Sequence, residues 1–368
     1  MQPKILLVTS FYPEFLSDLY QAEPELSAMP YKEQHKRLFD TGFGVGDAYS
    51  ANLRLLGCEA IDIVCDADVM QQAWADEHGL TQSGNIHDRR RQILAAQVEA
   101  FRPDVVYVFE WSPLGDEFLH AMKRKVALRV GQIASPIPEN RTFSGYDLML
   151  SSWPPIVDHF AATGMTSAYF RLGFDERVWE RIGQQPRRFD VTFVGGFAPS
   201  HTARVPWLEA LLGEVDIDIF GYGLDRVPSN SPIRDHFRGP AWGHRMFEIL
   251  GQSKITLHLN ATINVPGQAS DDYACAMRFY EASGMGTCLL TENKSNLSDL
   301  LTPGTEICAY ENMDQAIEII RHYLTHDTER ETIAQAGQAR TLREHTYRAR
   351  MSELLEILTR QLAARSSR

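Results

Sequence analysis

Gly195 and Gly196 close the apolar run VTFV at 191 to 194, and His201 and Arg204 follow where a helical pattern begins. A glycine turn lets a ligand approach the backbone, and the first amides of a helix face an anion there. Arg204 adds a planar, permanently charged fork that can neutralise a diphosphate, a task a lysine performs less specifically. His201 belongs to the same turn, either as a ligand contact or as a histidine satisfied by backbone.

The string MRFYEASGMGT at 277 to 287 places Glu281 on a helix that Gly284 and Gly286 end before the strand-like TCLLT. A carboxylate at the mouth of a parallel sheet can accept two hydrogen bonds from a ribose diol. It can equally be an acid that complements a helix dipole. Arg278 and Lys294 are candidates to add positive charge nearby, and Arg278 can instead pair with an acid. His244 follows Trp242 and Gly243 where another helix starts, in position to touch a ligand or to cap the turn.

Glu110 follows the run DVVYVF at 104 to 109 and is the first candidate for a general base, with an ordinary loop acid as the alternative. A base there works best with its pKa raised by burial. The segment GFGVG at 42 to 46, with Gly44 and Gly46, runs into a helix-like stretch near Asp47. It does not directly follow the first strand, so a dinucleotide fingerprint fails on context. A loop lining a cleft and a plain connection both fit.

No H-x-x-x-H, H-E-x-x-H or D-x-D motif falls in a loop after a strand, so no metal site is expected. DIDIF at 216 to 220 reads instead as an alternating strand with Asp216 and Asp218 on one face.

These residues need strand ends and helix starts to hold them, and the chain supplies both. Short aliphatic runs at 4 to 10, 60 to 65, 104 to 109, 127 to 133 and 147 to 152 alternate with amphipathic segments such as 46 to 57 and 87 to 101. A second series, at 191 to 197, 216 to 221, 254 to 260 and 287 to 291, alternates with helical patterns at 203 to 213, 243 to 251, 274 to 284 and 313 to 324. Such alternation predicts parallel sheets with helices on both faces. The expected organisation is an α/β chain of two Rossmann-like domains facing across a cleft, at 1 to 180 and 181 to 345. A helix at 346 to 368 should return toward the first domain.

Composition narrows the partners. The 48 acidic residues against 36 Lys and Arg give a formal charge of −12, which repels nucleic-acid backbones and anionic lipid surfaces. The basic run Arg89 to Arg91 is a local exception, readable as an anionic-partner patch or as a solvated helix face. Apolar runs are far shorter than a membrane span needs, and five scattered cysteines without a C-x-x-C pair suit a reducing compartment. A cytoplasmic protein with no integral membrane segment is expected; oligomeric state stays open.

The second half resembles the nucleotide-binding half of GT-B glycosyltransferases, in particular the spore-maturation CgeB-like branch related to the family 4 enzymes. The resemblance rests on FVGGF at 193 to 197 with His201 and Arg204, WGHRMFEILGQSKITLHLN at 242 to 260, MRFYEASGMGTCLLTENKSNLSDLLTPGTEICAY at 277 to 310, and IAQAGQARTLREHTYRARM at 333 to 351. It implies a hexosyltransferase-like enzyme with a nucleotide-diphosphate sugar as co-substrate, no cofactor and no metal. It also implies that Glu281 holds the ribose, that Arg204 holds the diphosphate and that the first domain takes the acceptor. The sugar would be read within GQASDDY at 267 to 273. The broader family often has a glutamate eight residues before the ribose-binding one; here Tyr273 stands there, and Asp271 and Asp272 are the neighbouring carboxylates. A nucleotide-sugar epimerase or hydrolase, or a catalytically silent nucleotide-sugar-binding protein, shares the same architecture.

Overall fold

A computed structural model describes residues 2–109, 114–138, 141–198, 201, 203–260, 264–265, 268–269, 272–274 and 277–366. The chain divides into two compact units, one of residues 1–171 with 350–368 and one of residues 172–349.

The first unit is built on β1 (Lys4–Thr9), β2 (Glu59–Val64), β3 (Val105–Phe109), β4 (Leu128–Gln132), β5 (Leu148–Ser151) and β6 (Ser167–Tyr169), all parallel, in the order β2-β1-β3-β4-β5-β6. Strands covered on both faces need continuous rather than alternating apolar runs. Ile5 to Val8, Val105 to Val108 and Leu148 to Leu150 are accordingly all buried. The segment GFGVG lies in the β1 to β2 crossover, just before the helix Ala48–Leu55. Gly42, Gly44 and Gly46 all have φ between 57° and 68°, which side chains resist. Phe43 between them stacks on Phe15 with ring centroids 4.1 Å apart and meets Phe11 edge-on, so the loop is anchored to the core by one aromatic side chain.

The second unit carries β7 (Phe189–Val194), β8 (Asp218–Phe220), β9 (Ser253–His258), a two-stranded antiparallel pair of β10 (Asn264–Val265) and β11 (Gln268–Ala269), then β12 (Cys288–Glu292) and β13 (Cys308–Tyr310). Its parallel sheet runs β13-β12-β9-β7-β8. Side chains alternate between the two faces. Val191, Phe193, Ile255, Leu257 and Leu290 join Leu208, Leu211 and Ile320 in one apolar cluster. Val194, Phe220 and Leu289 join Phe247, Leu250, Phe279 and Ala282 in another. The helices Arg204–Leu212 and Met313–Thr325 therefore cover one face, and Gly243–Gly251 and Met277–Gly284 the other. The mixed α/β architecture with parallel sheets agrees with the sequence expectation.

The last stretch forms two helices, Asp327–Glu344 and Tyr347–Ser366. In the first unit, Arg365 from the second of these pairs with Asp147 at 2.7 Å, beside the buried Arg129–Asp147 pair. Among the described residues no helix is long and apolar enough to cross a membrane.

Candidate nucleotide site

In an open parallel sheet, the crevice forms where strand order reverses, outside the carboxyl ends of the strands. In the second unit the chain goes from β7 outward to β8 and then returns to β9 on the other side of β7. The reversal therefore lies between β7 and β9. Gly195 and Gly196 follow β7, and Leu259 and Asn260 follow β9.

Arg204 spans that gap. As the first residue of its helix it is only 7% exposed, and its Nη2 donates to the Leu259 carbonyl at 3.0 Å while Nη1 donates to the Gly196 carbonyl. Its guanidinium also lies over the Phe193 ring, 5.1 Å from the centroid. Burial lowers its pKa to about 10, Tyr222 raises it and Arg278 lowers it further. The charge persists at neutral pH, and the buried Nε has no partner among the described residues. Sequence reasoning cast Arg204 as an anion ligand. It did not anticipate that two of its nitrogens brace the backbone on both sides of the crevice.

The glycine turn is shaped by close approach. A Cβ on Gly221, whose φ is +151°, would lie 1.9 Å from the Gly195 carbonyl oxygen, and one on Gly196 would lie 2.2 Å from the Tyr222 ring. Tyr222 in turn stacks on Trp242 with centroids 5.4 Å apart. His201 is half-buried with its Nδ1 unpartnered among the described residues; burial, then Arg204, push it down to about 4.

Glu281 lies on the helix Met277–Gly284 and is 6% exposed. Arg278, one turn earlier, pairs with it at 2.9 Å and also approaches the Met246 sulfur at 3.0 Å. Burial raises the Glu281 carboxyl above its usual range and Arg278 opposes the rise. Of the two alternatives for Arg278, the structure shows the pairing with an acid, and the acid is Glu281.

Lys294, just past β12, sits 3.4 Å from Glu292, which also accepts from Asn260 Nδ2 at 3.2 Å. His258, the last residue of β9, faces Asn260 Oδ1 at 3.3 Å and lies edge-on to Phe279. His258, Asn260, Glu292 and Lys294 thus form a polar row along the ends of β9 and β12. Sequence reasoning missed His258, Asn260 and Glu292. The tripeptide HLN reads as strand alternation, and only the register of β9 against β12, with His258 opposite Thr291, brings it beside ENK at 292 to 294.

His244 is in the first turn of the helix Gly243–Gly251, half-buried. Asp272 is exposed, and its carbonyl accepts from the Ser295 amide and hydroxyl, both at 3.0 Å. Glu110 and Asp271 lie outside the described residues, as do 267 and 270. Asp216 faces His236 at 3.0 Å and Asp218 pairs with Arg238 at 2.7 Å, so both acids of DIDIF have side-chain partners. In the first unit, Arg90 is paired with Asp68 and Arg91 with Asp88, which favours the solvated-face reading of that basic run.

A pH dependence follows from the two histidines. Burial, then Arg204 and Arg278, push His258 down to about 3, against an ordinary value near 6.5. The folded state therefore refuses protons that the unfolded chain binds, and stability falls as pH drops below about 6.5 and continues to fall toward the folded values. Urea melts between pH 7 and 4 should show a loss of a few kcal/mol. His258→Gln should flatten that slope; an unchanged slope would remove His258 as its source.

Residues 204–356 match the family model described as glycosyl transferase-like. That window contains Arg204, His244, His258, Arg278, Glu281 and Lys294 and begins after the glycine turn. Solved structures extend the likeness to the whole chain. A glycosyltransferase from Rickettsia africae is 12% identical, with 98% of this chain and 99% of that one covered and a TM-score of 0.59. The sucrose-phosphate synthase of Thermosynechococcus elongatus is 10% identical, with 98% and 100% covered and a TM-score of 0.59. Anabaena Alr3699/HepE in complex with UDP-glucose is 12% identical, with 97% and 99% covered and a TM-score of 0.60. No curated protein sequence matches the chain. The fold is that of the GT-B glycosyltransferases, and residues 204–356 carry the glycosyl transferase-like family pattern.

Proposed function

We propose that the chain transfers a sugar from a nucleotide-diphosphate donor to an acceptor, with the donor's diphosphate at the end of β7 and its ribose on Glu281. One observation carries this reading: the buried Arg204 guanidinium lies across the strand-order reversal, between the glycine turn and the end of β9. The glycosyl transferase-like match and a structural neighbour holding UDP-glucose support it.

Glycosyl transfer develops oxocarbenium-like charge on the sugar while negative charge gathers on the departing diphosphate. Fixed donors aimed at that charge lower the barrier without reorganising. Arg204 supplies a held cation, and Arg278 and Lys294 add charge that Glu281 and Glu292 partly offset. The donor half needs no metal on this reading. Glu110 remains the proposed base for an inverting reaction, Asp271 and Asp272 the proposed sugar contacts, and Gly44 and Gly46 part of the proposed acceptor-side loop.

The test is incubation with UDP-, GDP-, TDP- and CMP-linked sugars, with and without EDTA, followed by chromatography of released nucleotide. Turnover of one donor, by transfer or slow hydrolysis, and its persistence in EDTA are expected. Donor binding without any turnover across a broad acceptor panel would instead indicate a silent binding protein.

A further inference from the structure

The helix Met313–Thr325 stops at His326, whose backbone (φ −115°, ψ 67°) breaks it before the helix Asp327–Glu344 begins. His322 in the last turn, His326 at the break and Glu329 in the next first turn each offer one ligand atom, all within 4.8 Å of one another. We propose that this junction is a binding site for a divalent transition metal of the zinc type, distinct from the proposed nucleotide site and independent of it.

Three features fit that ligand. The imidazoles of His322 and His326 stack with centroids 4.0 Å apart and planes 13° from parallel, so the two rings are neighbours, and a turn out of the stack aims both at one ion. His326 Nδ1 lies 2.8 Å from the His322 carbonyl and 3.0 Å from Thr325 Oγ1. A carbonyl only accepts, so Nδ1 carries the proton and Nε2 keeps its lone pair. That is the tautomer a metal takes, fixed by the kind of outer hydrogen bond metal-bound histidines usually make. His322 Nε2 donates to Glu329 Oε2 at 2.9 Å, a proton that a bound metal would replace, and the carboxylate completes a set of two imidazoles and one oxygen.

Tetrahedral zinc with bonds of about 2.0–2.1 Å separates its ligand atoms by roughly 3.3 Å. Exposed side chains reach that spacing from 4.8 Å or less by turning out of their stack. The junction itself is already held, because buried Arg330 donates to the Tyr323 carbonyl at 2.6 Å and pairs with Asp327 at 2.6 Å. A held junction loses little freedom on binding. The spacing His322-Tyr-Leu-Thr-His326 is an H-x-x-x-H that sits at a helix end and not in a loop after a strand.

Calorimetric titration of the chelator-treated full chain with zinc chloride should show one saturable site of this origin. His326→Ala and Glu329→Gln should each weaken it at least about tenfold, a scale at which single contacts near a metal matter. The His322→Ala, His326→Ala pair should abolish it, and cobalt(II) should give the strong visible absorption of a four-coordinate ion with the native chain but not with that pair. These exposed substitutions should leave nucleotide binding unchanged, so failure here and failure of the nucleotide site are separable. No saturable zinc binding by the native chain, or equal binding by the double variant, overturns the proposal.

Discussion

Replacing Arg204 by alanine should lower the stability of the second unit by roughly 2–4 kcal/mol and weaken nucleoside-diphosphate binding at least tenfold. The stability term comes from two buried carbonyls, at Gly196 and Leu259, that lose charged donors, each worth about 1.5–3 kcal/mol. Relief of the cost of burying the cation, visible in the lowered pKa of Arg204, reduces that sum. Arg204→Lys separates bracing from charge. A lysine keeps the cation but offers no planar fork to reach two carbonyls on opposite sides of the crevice. It should therefore lose stability almost as alanine does while retaining more of the affinity for UDP. Urea melts and calorimetry on both variants check this, and two variants with native stability would show that the bridge holds nothing.

Glu281→Ala should cost about 3 kcal/mol or more, because it strands the Arg278 charge in a mostly buried position. It should also weaken the nucleotide by more than tenfold, since a carboxylate that accepts from two ribose hydroxyls has no replacement on that helix. Arg278→Met together with Glu281→Ala removes both charges and should recover much of the stability. The affinity should stay low in the double variant. Recovery of both quantities together would mean that Glu281 serves only as the partner of Arg278.

The parts of this molecule that could be read from sequence are those that burial alone dictates. Runs such as VVYVF and KITLHLN announce buried parallel strands, and the glycines after VTFV and DIDIF mark where those strands end. Short edge strands such as Ser167–Tyr169 carry too few buried residues to stand out. The three helices Pro13–Ala22, Tyr31–Asp40 and Asp68–Glu77 fill the first crossovers without a recognisable local signal. At the site, Arg204, Arg278 and Glu281 were legible as residue types. Their partners were not: Arg204 binds main-chain carbonyls, which every residue has, and Asn260 meets Glu292 only through the register of β9 against β12.

The central claim is that the nucleotide's diphosphate rests where β7 and β9 diverge. The most direct test is a crystal structure of the chain with whichever nucleoside diphosphate binds most tightly. The claim predicts diphosphate oxygens within about 2.7–3.2 Å of the Arg204 guanidinium, with both ribose hydroxyls on Glu281. A nucleotide seated elsewhere, with Glu281 still bound only to Arg278, would contradict it.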